Sequence, residues 1–100
     1  MRIPKRLKVG GHLYQVTVGH QFRENDNLVG QARKVEGLIL LATHVPGGAP
    51  CLRSQIEETF VHELLHIVNS IYNADGLDEK TVTRLSEGLY QVLTDNRMLR

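Results

Sequence analysis

The sequence predicts an α+β domain: an N-terminal antiparallel sheet of three to four strands followed by two long antiparallel helices. Three observations predict it. Apolar residues recur with period two as far as residue 43, with glycines as punctuation. The stretch 44–50 holds two prolines and two glycines, which suits neither helix nor strand. Beyond it the apolar period changes to that of a helix. At 100 residues the chain suits a single domain, 1–100, with a sheet part over 1–43 and a helical part over 51–98.

The first two strands flank Gly10-Gly11. Leu7 and Val9 lead in, and Tyr14, Val16 and Val18 alternate with Leu13, Gln15 and Thr17 on the way out. Glycines tolerate the positive φ that a two-residue hairpin turn requires. Residues 21–27 are polar and turn-rich, a loop. Leu28 to Lys34 and Leu38 to Thr43 then form a second hairpin across Glu36-Gly37. Leu38-Ile39-Leu40-Leu41 is apolar on both faces, so at least one is covered. Left at an edge, this strand would be free to pair with another chain.

The first helix is expected to start between Cys51 and Ser54, with Ser54 to Glu57 in the form of a capping box. It stops at Asn73, where Asn73-Ala74-Asp75-Gly76 supplies the turn. Asp78 caps a second helix from Glu79 to about Asn96. Its apolar seam is Val82, Leu85, Leu89, Val92 and Leu93, with Glu87 nearly opposite.

Composition excludes several function classes. The net charge of +1 offers no electrostatic case for nucleic acid as main partner. The basic residues Arg2, Lys5, Arg6 and Lys8 read as a solvated strand edge. No apolar run reaches the length of a membrane span, and no secretory signal is visible. Cys51 is the one cysteine, so a disulfide framework is ruled out and a thiol-reducing, cytoplasmic setting is expected. Any metal would have to rest on histidine and carboxylate.

The five histidines are the anomaly. His62-Glu63-Leu64-Leu65-His66 is an HExxH sequence inside the first predicted helix. Residues four apart stack on one helix face, so both imidazoles can reach one ion. On a helical wheel His62 and His66 fall on the polar stripe with Gln55, Glu58, Thr59, Asn69 and Asn73. Glu63 lies ~100° around the helix, beside such an ion without ligating it, where it can act as general base. His12, His20 and His44 stand at no ligand spacing.

Thr59 to Val68 resembles the active-site helix of zincin metallopeptidases. The order of elements is similar to the small gluzincin-like proteins called minigluzincins, and to small HExxH proteins of phage and prophage genomes. The resemblance implies a minimal zincin-like core and a Zn2+-dependent peptidase, active or latent, acting on a peptide or protein substrate. Glu63 would be its catalytic residue, taking a proton from water at the metal. The alternative is a catalytically idle metal-binding module, an adaptor or regulator in a phage or bacterial assembly. The family's third ligand is a glutamate about twenty residues past the second histidine, a position that Glu87 fills. The helical connection agrees, since His66 precedes and Glu87 follows the turn by similar lengths. The expected ligands are therefore His62, His66 and Glu87. Glu79 is the rival, reaching His66 only if the helices cross steeply, and Asp75 is weaker. Asn69 and Gln91 are candidates to orient the ligands; Tyr72 and Tyr90 could offer a phenol to a developing oxyanion, with core packing the favoured reading. By resemblance, Leu38 to Thr43 would be the edge strand that takes an extended substrate.

Overall fold

The computed structural model describes residues 1–98. The elements run β1 (Arg6–Val9), β2 (His12–Val18), a short 3-10 turn (Glu24–Asp26), β3 (Gly30–Arg33), β4 (Leu38–Leu41), α1 (Arg53–Asn73) and α2 (Glu79–Asp95). The α+β class and the order of elements follow the period change in the sequence.

Both predicted hairpins form. β1 pairs antiparallel with β2 around Gly10-Gly11, and β3 pairs antiparallel with β4. The strand order is β1-β2-β4-β3, and β2 lies parallel to β4, with Val16 opposite Ile39. The sheet is therefore mixed, where an antiparallel one was expected. Period-two patterning identifies the inward face of a strand but not its neighbour. β4 is the most apolar strand and takes the interior position, its Ile39 and Leu41 fully buried. It is not an edge. The free edge on its side is β3.

One face of the sheet packs on α1. Tyr14, Ile39 and Leu41 meet Ile56, Phe60, Val61 and Ile67 in a single core. α1 starts one residue ahead of Ser54: Leu52 is the N-cap, and the Gln55 side chain accepts from the Leu52 amide at 2.7 Å. The Cys51 amide donates to the Thr43 carbonyl, which fixes the approach to the helix there. Ser54 thus falls inside the first turn.

The connection between the helices decides the site. Ala74 and Asp75 both adopt left-handed backbone, φ 48° and 57°, which reverses the chain within two residues. The buried Asn69 side chain clamps the return. Its Oδ1 accepts from the Leu77 amide (3.1 Å) and from Asn73 Nδ2 (3.0 Å), and its Nδ2 donates to the Leu77 carbonyl (3.2 Å). Asp78 then caps α2, accepting from the Thr81 amide at 2.8 Å. At the far end Tyr90 donates to Glu57 at 2.8 Å, and Arg53 pairs with the same carboxylate. The helices are antiparallel, with 69 level with 77 and 57 level with 90.

α2 covers only part of its apolar seam, Val82 fully and Leu93 partly. Val82 and Ser86 are the buried residues of α2, whereas Leu85, Leu89 and Val92 are about half exposed. The ties at Asn69–Leu77 and Glu57–Tyr90 fix the helix's rotation, and they turn Leu85, Leu89 and Val92 outward.

Candidate metal centre

His62 and His66 project from α1 into a cleft of ≈ 770 Å³ bordered by β3, α1 and α2. Their sequence neighbours Val61 and Ile67 are buried in the core, which sets the helix face that carries both rings. Their Nε2 atoms converge to 3.1 Å. The Glu79 carboxylate spans the pair, with Oε1 3.0 Å from His62 Nε2 and Oε2 2.9 Å from His66 Nε2. Among the described residues, these three form the group whose donor atoms all lie close enough to hold a metal ion, within 4.8 Å of one another.

The donor set fits a tetrahedral ion. Two nitrogens bound at ~2.0–2.1 Å with tetrahedral angles stand ~3.3 Å apart. The observed separations of 2.9–3.1 Å need to open by only a few tenths of an ångström.

Ser86 supports His62 from behind. It is buried, and its hydroxyl donates to the Thr83 carbonyl at 2.9 Å. A hydroxyl has one proton to give, so it meets His62 Nδ1, 3.4 Å away, with a lone pair. That contact favours the proton on Nδ1 and leaves Nε2 free towards the centre. Burial depresses the pKa of His66, opposed by the adjacent Glu79 carboxylate and reinforced by the charges of His62 and Lys34. A neutral imidazole is the form that ligates.

Glu63 lies on the sheet side of the histidines, 9% exposed. Burial raises its pKa, His62 pulls it back down, Glu79 pushes it up and a hydrogen bond from the Ala32 backbone lowers it. Gly30 makes room for this carboxylate. A Cβ on Gly30 would collide with Thr59 Cγ2 and stand 3.1 Å from Glu63 Oε2, so β3 can pass this close to α1 only without a side chain there.

The structure brings His62 and His66 together, and puts Glu79 with them in place of Glu87. Glu87 lines the same cleft but stands outside the group. The reason is register. Because Asn69 draws Leu77 alongside it, the first turn of α2 is already level with His66 and no steep crossing is needed. Glu87, next to a residue that faces His62, falls about two turns further along and ~80° around α2 from Glu79. Asp75 instead meets Lys34 at 3.5 Å. Gln91 is exposed and bonds to Asp95, and Asn69 serves the turn. Tyr90 is tied to Glu57, and Tyr72 is mostly exposed. His20 and His44 line a separate hollow, and His12 is exposed on β2. Cys51 borders the cleft outside the group.

Sequence reasoning missed Ser86 and Gly30. A small polar residue one turn after a buried valine, and a glycine opening an edge strand, are weak signals until both partners are known.

Fold and site thus define a small α+β domain with a His/His/Glu group able to hold a metal ion. The chain matches no family model, no curated protein and no solved structure. Among the described residues no helix is long and apolar enough to cross a membrane.

Proposed function

We propose that the protein is a zinc-dependent peptidase whose ion is held by His62, His66 and Glu79. One observation carries the reading: Glu63 is walled in beside the three converging donors, against a free strand edge. Two imidazoles and one carboxylate form a ligand set of catalytic rather than closed structural zinc sites, leaving a position open. A bound Zn2+ would supply a Lewis acid that polarises a carbonyl and acidifies water.

The chain's own residues divide the remaining work. Glu63, its pKa raised by burial, takes the proton of the attacking water and returns it to the leaving amine. The unpaired edge of β3, apart from the Ala32 group bonded to Glu63, offers backbone hydrogen bonds to an extended peptide laid along the cleft. β3 takes this role from β4, which is paired on both sides. The cleft's volume falls within the range of small-ligand sites, enough for a few residues of substrate.

The test begins with metal analysis of the purified chain and His66→Ala, where one zinc per chain is expected and its loss in the variant. Hydrolysis of a peptide library by the zinc-loaded wild type and Glu63→Gln follows. Zinc in both with cleavage by the wild type alone supports the reading. Zinc in both with cleavage by neither would replace it with a metal-binding module that is not an enzyme.

A further inference from the structure

α2 has two faces. Val82 and Ser86 are buried against α1, with Tyr90 and Leu93 partly covered. Leu85, Leu89 and Val92 are 50%, 44% and 45% exposed. At ~100° per residue these three share a ~60° arc, rotated ~80° from the packed stripe. An apolar stripe of this kind on a short helix normally has a cover.

Gly88 borders the same face. A Cβ there would meet nothing within 4 Å, so the chain's own packing does not call for glycine. A glycine inside a helix is unfavourable relative to alanine. It is useful where a second backbone must come close.

Charge indicates what that second backbone is. Arg84 and Asp95 are exposed and lie on one flank of the face, about three turns apart and almost equidistant from Leu89. Opposite charges placed symmetrically about a centre are complementary to their own image in an antiparallel helix. A parallel two-fold pairing would set each charge level with its like on the opposite flank and leave none matched.

We propose that this face docks a second copy of the chain, α2 against α2, antiparallel about a two-fold axis near Gly88 and Leu89. Arg84 of each copy then meets Asp95 of the other, twice by symmetry. Leu85, Leu89 and Val92 interleave with their images, and Gly88 lies at the closest approach. Thr83 and Glu87, which border the metal cleft, sit ~180° around α2 from this face. Pairing therefore leaves both clefts open and facing apart.

Sedimentation velocity of the full chain from about 5 µM to about 1 mM tests the proposal. Two short helices bury less than the ~1,200 Å² that separates weak from standard interfaces, so dissociation at roughly 10–100 µM is expected. Leu89→Glu should give monomer throughout. Arg84→Asp or Asp95→Arg alone turns two attractions into two repulsions and should weaken pairing about tenfold. The double variant, with both charges exchanged, should restore it. Gly88→Ala should raise the Tm of the dilute monomer yet weaken the dimer. A monomer at every concentration would overturn the proposal, as would a dimer indifferent to Leu89→Glu and to the charge exchange.

Discussion

Asn69→Ala should damage the fold and the candidate metal centre together, although Asn69 hydrogen-bonds to none of His62, His66 and Glu79. The truncation removes three hydrogen bonds and strands the Leu77 amide and carbonyl beside a buried gap. A typical net contribution is ~1 kcal/mol per bond, with ~1–3 kcal/mol for a polar group left unsatisfied. Water admitted at the turn would satisfy part of that, so a loss of about 2–3 kcal/mol is expected. For a domain near 100 residues each kcal/mol shifts Tm by ~4–8 °C, so Tm should fall by about 10–20 °C. The second consequence is specific. With the clamp gone, α2 is free to slide along α1, and Glu79 loses the level that brings it to 2.9 Å from His66. Zinc affinity should fall about tenfold or more, the scale of losing a residue that orients a ligand. Thermal unfolding in EDTA and zinc titration against a competing chelator measure the two effects. A Tm within 3 °C of wild type, together with unchanged zinc affinity, would refute the claim that this side chain sets the register.

Three further outcomes follow from the geometry. Glu79→Gln should weaken zinc binding by far more than tenfold while Glu87→Gln leaves it nearly unchanged, as competition titration would show; the reverse order would restore Glu87 as the ligand. Gly30→Ala should push β3 away from Thr59 and Glu63, costing about 1–3 kcal/mol and lowering kcat more than zinc affinity, read from chemical denaturation and steady-state kinetics. Glu63→Gln should stabilise the metal-free protein at neutral pH. Burial holds the Glu63 pKa above its usual 4.5, so the folded chain binds that proton more tightly than the unfolded one. The associated stability is present below pH 4.5 and lost as pH rises through the folded value. The Tm advantage of Glu63→Gln should therefore widen from pH 4 to pH 7 in EDTA; a gap that narrows would contradict the sign. His66 has the opposite dependence below pH 6.5, but both proteins share it and it largely cancels in the difference.

The sequence made the elements legible and left their neighbours hidden. Alternation in Tyr14 and Val16 shows which side of β2 is buried, yet the same alternation serves whether β1, β3 or β4 lies alongside. Helical spacing was enough to put His62 and His66 on one stripe, because i and i+4 are neighbours in any α-helix. The third member of the group depended on something with no period. Counting turn length as dead space between the helices favours Glu87, whereas left-handed Ala74 and Asp75 and the Asn69 clamp fold the connection back along α1. Neither alanine nor aspartate advertises that conformation as glycine does. The rotation of α2 was hidden for a related reason. Leucines mark a face that is apolar, not which partner it meets, and here Val82 and Ser86 are buried while Leu85 and Leu89 stay half exposed.

His62, His66 and Glu79 all belong to the α1–α2 hairpin, within eighteen consecutive residues. Glu63 owes its surroundings to β3, which is more than thirty positions earlier in the chain. The hairpin closes over a short contour, while the sheet must first join distant segments at greater entropic cost. The His/His/Glu group is thus a local product of folding, whereas the niche around Glu63 is a long-range one. On the proposed function, a chain with a loosened sheet would still sequester metal after it had lost the niche around Glu63, so metal content by itself would be a poor measure of the competent fraction in any preparation.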